Sequence, residues 1–551
     1  MPFLFEASFY VLVMAGVLFG LPMFLTYERF FGIPRTTLLL ALMGFYSLLL
    51  LAKPAFFPLW TVWIAVFGFV GWLRWVRDGH REPLWEPLMS WPVIAILVLS
   101  FLPFILRWEP PGAEGIIQGV WARQIFETRV VGSDFPSPTG IAAIRSGGLG
   151  VPSIVAISHM GAWARIERVL NFLNCLGFAL FAFSLASVMM TWFSRQAANL
   201  AVLMICLVYS FPILFLNWSG GAELIGLTAG LCWLELSKSI RIRENSPFEL
   251  GIYILALVFT SFASTAGFVA STLAVLPSII QSAYRSEKPK AAFGQLGTVA
   301  GISVVLMLFS PMVREAIGSP QVGLSDWQRS LAPELFSGRW FVGQVWRQLA
   351  HWVSGPALLV GFILFASSYI VERFGKFFVT SATLCSVGLI IYLSCRLGFI
   401  PLGHLLHPHH GALLIVVGLS FPLAWFVEMF LSQPSWSFRV VSGLIFGVMF
   451  AITVPQWIRS FGPQQSRLTA NDLKAMEYIE HFLPEDQCVG IRRAGAGEWL
   501  PVLTGQCVED IGESSQWVYL TALETDRYLP DYEAVYSKNA MVLRRVNPDV
   551  K

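Results

Sequence analysis

Long apolar runs separated by short polar loops occupy the first 456 residues of this chain of 551. A helix that crosses a bilayer needs about 20 mostly apolar residues, and on that measure the pattern predicts about fourteen transmembrane helices. We expect them at 8–27, 36–52, 54–73, 88–106, 169–192, 199–217, 223–237, 249–263, 266–283, 293–312, 353–371, 377–395, 411–431 and 440–456. The spans within the 223–263 section are short compared with the others.

Charge becomes dense after the last predicted span. The 95 residues of 457–551 carry 14 acidic and 10 basic side chains, whereas charged residues make up about 10% of the 456 before them. Across the whole chain 56% of residues are hydrophobic and 13% are charged, against about 25% charged in soluble proteins. The sequence therefore predicts a polytopic α-helical membrane protein with a small C-terminal extracytoplasmic α/β domain. It has no dense basic stripe of the kind that binds nucleic acid, so no nucleic-acid partner is expected.

The chain divides into three predicted sections. Residues 1–87 form an N-terminal three-helix membrane section, and residues 88–456 form a membrane core with long external loops at 107–168 and 313–352. Residues 457–551 form the soluble domain, or tail. In the tail, Thr469 is expected to cap a helix that ends near Phe482, with Asp472 completing a capping box. Strands are predicted at 488–492, 517–520, 532–536 and 541–546, and a short helix at 498–503 should end at Gly505.

Lys and Arg are concentrated in alternate loops. Fifteen of them lie in one set of short loops, which the positive-inside rule assigns to the cytoplasm. We therefore expect an integral protein of the bacterial inner (cytoplasmic) membrane, with both termini and the whole tail facing outward. The N-terminus lacks the basic start of a cleavable signal peptide, and further apolar segments follow it immediately.

The loop at 107–168 holds the best candidates for chemistry. A carboxylate at the outer end of a helix lies where membrane meets water, which is the depth of the reactive carbon of a lipid-linked sugar. There it can act as a general base, and the candidate bases are Glu114, Glu109 and Asp134. Cations must stabilise the charge that develops on a leaving phosphate, and the loop offers Arg107, Arg123 and Arg145. The stretch 116–130 of the same loop is amphipathic and is expected to lie along the membrane surface.

This loop resembles that of the GT-C superfamily of polyprenyl-phosphate-sugar-dependent membrane glycosyltransferases. In many bacterial members the loop reads Asp, three residues and then His, followed by an Ala-x-x-Ile helix, within a multi-spanning core that ends in an external α/β tail. Glu114 would stand at the Asp, Gln118 at the His, and Ala122 starts the Ala-x-x-Ile. The tail is similar in Asp472-Leu-Lys-Ala and Gly497-Glu-Trp-Leu-Pro. The motif is altered, because Glu is longer than Asp by a methylene and Gln cannot transfer a proton.

The resemblance covers most of 88–551 and implies transfer of a sugar from a polyprenyl-phosphate donor to an extracytoplasmic acceptor. Gln118 and the three arginines of the loop would then bind substrate. The family often has a second acidic residue about where Glu223 lies, although an acid at that point also favours a helix N-terminus. It often carries a basic residue facing the lipid phosphate in the region 396–410.

That region contains four of the eight histidines of the chain. They are His404, His407, His409 and His410, and Arg396 precedes them. Imidazoles at these spacings can bind a metal or a phosphate. However, Pro408 is expected to break the helix that would align them, and no carboxylate is adjacent in sequence. Phosphate contact, a divalent metal and a structural role at the interface all stay open, and no cofactor is certain.

Cys488 and Cys507 are the two cysteines outside the apolar runs. We expect them to form a disulfide, because an outward compartment permits oxidation. The alternative is that both are buried thiols.

Three functional hypotheses remain. The first is a membrane glycosyltransferase with a polyprenyl-phosphate sugar as its lipid partner. The second is a non-catalytic GT-C-like scaffold or accessory subunit of a membrane complex, and the third is a lipid flippase or transporter. An enzyme requires Glu114 to open into a cavity at the outer membrane face, with Arg or His groups from 396–410 nearby, whereas a scaffold does not.

Overall fold

The computed structural model describes residues 34–52, 91–128, 150–208, 220–308, 355–397, 406–432 and 468–546, with short gaps inside several of these ranges, together with a few positions between 436 and 451. The predicted spans at 8–27 and 54–73, most of the span at 440–456, the loop at 313–352 and the boundary at 457 lie outside the described residues.

The described part of the first 456 residues is helical. Its helices are α1 (Arg35–Ala52), α2 (Trp91–Leu106), α3 (Ala113–Thr128), α4 (Gly150–Ala162), α5 (Ile166–Met189), α6 (Arg195–Val208), α7 (Gly221–Ile242), α8 (Pro247–Ala263), α9 (Thr265–Tyr284), α10 (Pro289–Leu308), α11 (Gly355–Glu372), α12 (Phe378–Leu397) and α13 (Pro408–Ser432).

Eleven of the predicted spans coincide with helices in the described part of the chain. Four of these helices, α5, α9, α10 and α13, are long and apolar enough to cross a membrane, and shorter apolar helices lie within α1, α2, α6, α8, α11 and α12. By length and composition the chain is therefore a helical membrane protein. The total of about fourteen spans stays a prediction.

Small residues let the helices meet closely at one end of the bundle. A Cβ atom built on Gly177 of α5 would lie 2.4 Å from the carbonyl oxygen of Gly221 at the start of α7, so a side chain has no room there. A Cβ atom built on Gly411 of α13 would likewise lie 2.4 Å from the carbonyl oxygen of Gly388 in α12. Small residues at helix contacts are typical of membrane proteins. Here they fix where the first turns of α7 and α13 lie.

The long loop at 107–168 folds into α3 and α4. Helix α3 is buried without interruption from Gly115 to Ala122. It packs against α4 and α5 on the membrane side and against the tail on the other. The stretch is helical, and the tail covers its face away from the bundle; that this helix lies along the membrane surface stays a prediction.

The tail is a small α/β domain, as predicted. It contains α14 (Ala470–Phe482), a 3-10 turn (Ala496–Trp499), α15 (Leu500–Thr504) and the strands β1 (Val489–Ile491), β2 (Val508–Asp510), β3 (Trp517–Leu520), β4 (Tyr532–Ser537) and β5 (Met541–Arg545). The strand order is β2-β1-β3-β5-β4. Strand β1 runs parallel to β2 and β3, while β5 runs antiparallel to β3 and β4.

Local features of the tail follow the sequence closely. Thr469 accepts from the backbone N–H of Asp472, and the Asp472 side chain accepts from Thr469 in return, which completes the capping box. Gly505 ends α15 with a φ of 76°, a left-handed conformation that favours glycine. Cys488 and Cys507 form a disulfide with their Cα atoms 4.5 Å apart. Strand β2 was not predicted.

Candidate functional site

Three titratable side chains from distant parts of the chain meet where α7 and α13 begin. The Oε2 atom of Glu223 lies 3.0 Å from Nε2 of His409 and 2.6 Å from Nε2 of His410. Glu223 and His410 are buried, and His409 is partly buried. The potential ligand atoms of all three lie within 4.8 Å of one another. We call these three residues the outer cluster, after the face on which the sequence predicts them.

Local sequence explains why the two helices deliver these side chains. The backbone N–H of Gly221 donates to Oδ1 of Asn174 at 2.6 Å, which anchors the start of α7 and places Glu223 in its first turn. Helix α13 starts at Pro408. As expected, the helix does not extend before Pro408, since Leu406 is not helical. Proline suits this first helical position, because its missing N–H would be unpaired there and its fixed φ fits. His409 and His410 therefore lie in a helical first turn.

A carboxylate does lie beside these histidines in three dimensions. No acid is adjacent to the histidines in sequence, but Glu223, 186 residues away from His409, forms a hydrogen bond with it. Two imidazole nitrogens and one carboxylate oxygen are a ligand set that suits Zn²⁺ and related divalent metals. Three protein ligands leave a coordination position for water or substrate, as in catalytic sites. The geometry therefore fits a divalent cation, as well as a direct contact between a protonated imidazole and an anion.

Helix α5 connects the outer cluster with helix α3. A Cβ atom built on Gly119 of α3 would lie 3.2 Å from Cδ1 of Leu170, and Asn174, four residues further along α5, holds Gly221. Four helical residues rise about 6 Å. The outer cluster therefore lies at the same end of the bundle as α3, the helix that carries Glu114.

Two other candidates at this end hold the loop in place. Oε1 of Glu109 accepts from the backbone N–H of Leu468 at 3.0 Å, where the described tail begins. The carbonyl oxygen of Arg107 accepts from Arg168 at 2.8 Å and from Asn171 at 3.0 Å. Burial lowers the pKa of the Arg107 guanidinium, and the nearby Glu109 carboxylate opposes that shift. The contact of Glu109 favours a structural role for its carboxylate, whereas the contacts of Arg107 involve its backbone and leave the role of its guanidinium a prediction.

Arg123 joins α3 to the tail. Its Nε donates to Oε1 of Glu127 at 2.6 Å, and its Nη1 donates to the carbonyl oxygens of Val502, at 3.2 Å, and Leu503. Its Nη2 lies 3.7 Å from the carboxylate of Glu480 in α14. Most of the donors of the guanidinium are thus engaged by protein. This geometry favours docking of the tail over the predicted contact with a substrate phosphate.

The other predicted residues are only partly described. Gln118 is buried in α3, with 3% of its surface exposed. Glu114 lies in the first turn of α3 and Arg396 in the last turn of α12, but their side chains lie outside the described part of the structure. The residues Asp134, Arg145, His404 and His407 also lie outside it. The roles proposed for these residues, and the cavity predicted behind Glu114, stay predictions.

The sequence named Glu223, His409 and His410 but did not pair them. Nothing in their spacing brings residues 186 positions apart together. The residue that the sequence reasoning missed is Asn174, whose amide oxygen orients α7. A signal was available, because Asn171 and Asn174 are polar residues inside a predicted apolar span, and such residues are costly there unless they have partners.

Comparison with known proteins gives likenesses to solved structures. No protein-family model matches the sequence, and no curated protein matches it. The chain is similar to the structure of ArnT from Cupriavidus metallidurans bound to undecaprenyl phosphate, with 11% identity and a TM-score of 0.47 over 83% of this chain and 98% of that chain. Against ArnT from the same organism in the apo state the values are 11% and 0.47, over 84% and 99%.

The likeness extends over most of the chain. At this level of identity it assigns no role to any residue of this chain.

Proposed function

We propose that the protein is a membrane glycosyltransferase that moves a sugar from a polyprenyl-phosphate donor to an extracytoplasmic acceptor. The observation that carries the proposal is the outer cluster, which brings an acid and two imidazoles together at the bundle end that bears Glu114. A donor anchored by its lipid chain presents its phosphate near the ends of the membrane helices. The site and the reacting group of such a donor therefore lie at the same depth.

The chemistry needs a base for the acceptor and positive charge for the leaving phosphate. Glu114 is the proposed base, and it removes the proton of the acceptor hydroxyl or amine as the new bond to the sugar forms. A carboxylate repels the donor phosphate, so a cation must lie between them. His409 and His410 are the proposed source of that charge, and Glu223 holds their rings in position through its Oε2 atom.

We extend the proposal to a divalent cation held by Glu223, His409 and His410. When bound, it would supply the positive charge that stabilises the leaving phosphate. The ring nitrogens must then be unprotonated on the side of the cation, and Glu223 must be ionised. Binding of the cation is therefore expected to weaken as the histidines become protonated at acidic pH.

The test uses the purified full-length protein in liposomes that contain synthetic polyprenyl-phosphate hexoses or pentoses, with a cell-envelope extract as the acceptor. Mass spectrometry measures the free polyprenyl phosphate that transfer releases, and elemental analysis measures bound metal. We expect His409→Gln to lower both quantities. The matched control is His481→Gln, which changes a histidine exposed on α14 and should leave both unchanged.

Two results would decide against parts of this proposal. If no donor of the panel releases polyprenyl phosphate, the protein does not transfer these sugars. The second result concerns the metal. If the wild-type protein transfers sugar, but it and His409→Gln contain equal amounts of bound metal, the histidines act without a cation.

We also propose that the end with the outer cluster and the tail faces outward, as the basic loops predict. Protease added to right-side-out cells should then remove the tail, whose first described residue is Leu468, and an antibody to the C-terminus would record the loss. Protection of the tail in intact cells, with cleavage in inverted vesicles, would reverse this orientation.

A non-catalytic scaffold is the second candidate. The observation that favours it is that the side chains of Glu109 and Arg123, both predicted for substrate chemistry, make contacts that hold the loop and the tail together. A scaffold would bind the membrane lipid or a partner without releasing polyprenyl phosphate, so the same liposome assay separates the two functions.

A further inference from the structure

A second polar site lies at the opposite end of the bundle, near the other end of helix α7. It is a cavity of about 240 Å³, which has room for about eight water molecules. Helices α1, α5, α7 and α8 surround it. Its polar lining is Ser187, Thr191, Glu235, Lys238 and Ser239, and its apolar rim includes Ile242. We call this the inner cavity.

Glu235 is the distinctive group of the inner cavity. It is buried, with 6% of its surface exposed. Its Oε2 atom accepts a hydrogen bond from the hydroxyl of Thr37 at 3.0 Å, and the hydroxyl of Ser187 is a second neutral partner of the carboxylate. Lys238 acts on it electrostatically, but among the described residues no direct ion pair with a cationic side chain is formed. Burial of an unpaired carboxylate costs several kcal/mol, so a cation in the cavity would stabilise it.

Lys238 lies one helical turn further along the same face of α7. Its ammonium donates to the hydroxyl of Thr191 and lies over the ring of Trp192. An ammonium has three protons to donate, so it keeps donors for an anionic ligand. Side chains three residues apart on a helix have Cβ atoms about 5–6 Å apart. The cavity therefore presents a negative and a positive group separated by one turn.

The position of the inner cavity indicates the kind of ligand that reaches it. It lies at the bundle end that carries Lys238 and Arg241 in the last turns of α7 and Lys288 just before α10, near the ends of the membrane helices, where lipid headgroups lie. Ile242 at the rim is 82% exposed. An apolar rim beside a polar interior suits a molecule with a charged head and acyl chains.

We propose that the inner cavity binds the headgroup of an aminophospholipid, with its ammonium on Glu235 and its phosphate on Lys238. The two charges of a phosphoethanolamine group span the distance of one helical turn. A divalent metal suits the site poorly, because it requires several oxygen ligands and Lys238 would repel it.

The experiment is a headgroup series on the wild-type protein, purified full length and stripped of lipid. Native mass spectrometry measures how much phosphatidylethanolamine, its mono-, di- and trimethylated forms and phosphatidylglycerol the protein retains. We expect retention to fall about tenfold from the primary amine to the trimethylated form, because a trimethylammonium cannot donate to Glu235. Phosphatidylglycerol, which has no cation, should be retained least. Soluble glycerophosphoethanolamine should compete only at high concentration if the acyl chains contribute.

Variants of the inner cavity test whether the headgroup preference arises there. Glu235→Gln should remove the preference for the primary amine, and Lys238→Gln should weaken retention of every phospholipid in the series. The matched control is Glu428→Gln, which changes a carboxylate at the same bundle end that accepts from Ser194 at 3.0 and 2.6 Å outside the cavity. It should leave the series unchanged.

Two outcomes would overturn the proposal. Equal retention of all headgroups by the wild-type protein would mean that the cavity does not recognise an ammonium. An unchanged preference in Glu235→Gln would mean that the carboxylate carries a proton and does not face the ligand. Neither outcome bears on sugar transfer at the outer cluster, because the series is measured without a sugar donor.

Discussion

Helix α7 carries two buried carboxylates in opposite environments. Glu223, in its first turn, lies within 3.0 Å of two imidazoles. Glu235, three turns later, has the neutral hydroxyls of a threonine and a serine as its hydrogen-bond partners and borders a cavity. The first acid has two imidazole groups of the protein beside it, whereas the second has neutral hydroxyls and leaves its charge to a ligand or a proton. Glu223 therefore belongs to a site whose charged and polar groups all come from the protein. Glu235, at the other end of the same helix, belongs to a site that a bound ligand would complete.

The groups that surround a buried carboxylate indicate which kind of ligand it can bind. A carboxylate that has two imidazoles beside it can hold a metal with them, or can position a protonated ring to face an anion. A carboxylate without such partners attracts cations. The two ends of α7 should therefore respond differently to every change that alters charge.

The largest expected effect is the loss of sugar transfer when Glu114, the proposed base, is replaced. Glu114→Gln removes the proton acceptor with almost no change in volume, so transfer should fall by about 10²–10⁴-fold, the range typical of losing a general base. Release of polyprenyl phosphate in liposomes measures this, while bound metal and lipid retention at the inner cavity should not change. Unchanged release would remove Glu114 from the mechanism.

A second prediction concerns the tail, which covers the outer end only. Arg123→Met removes a guanidinium that bonds to Val502, Leu503 and two carboxylates, and hydrogen bonds of charged groups contribute about 1.5–3 kcal/mol each. Cleavage of the tail by protease in liposomes should accelerate at least tenfold.

The control for the tail is Arg165→Met. Arg165 also faces the tail, through an exposed ion pair with Glu477 at 3.6 Å. Exposed pairs contribute about 0–1 kcal/mol, so cleavage should change little. Equal acceleration in both variants would mean that Arg123 is not the docking residue.

The smallest effects are on stability, and here the signs differ between the two ends. Glu223→Gln leaves the imidazoles without their carboxylate, at a cost of about 1–3 kcal/mol. Glu235→Gln removes an unpaired buried charge, so it should be neutral or stabilising in lipid-free detergent. Thermal unfolding of the two variants in one detergent provides the measurement. A larger loss in Glu235→Gln would show that the protein itself neutralises this acid.

The sequence predicted the elements whose causes are local. The capping box of Thr469 and Asp472 and the glycine that ends α15 depend on a few neighbouring residues, and the structure has them as expected. Strand β2 escaped prediction because Val508–Asp510 is three residues long and two of them are acidic. Apolar length likewise located most of the spans, but it could not show that α3 is buried beneath the tail.

Pairings across the chain were beyond prediction. Glu223 and His410 meet because Gly221 fits against α5 and Gly411 fits against α12, which are contacts between helices far apart in sequence. A pattern within one segment does not contain them. The same holds for Arg123, whose acceptors Val502 and Leu503 lie 379 and 380 residues away.

The most direct test of the proposed function compares Glu223→Gln with Glu235→Gln in the liposome assay, at equal protein and in the same lipid. Both changes replace a buried carboxylate on α7 by its neutral isostere, so general damage to the helix should affect both. If the outer cluster is the transfer site, release of polyprenyl phosphate falls about 10²-fold or more in Glu223→Gln and stays near the wild-type rate in Glu235→Gln. Equal rates in the two variants would contradict it.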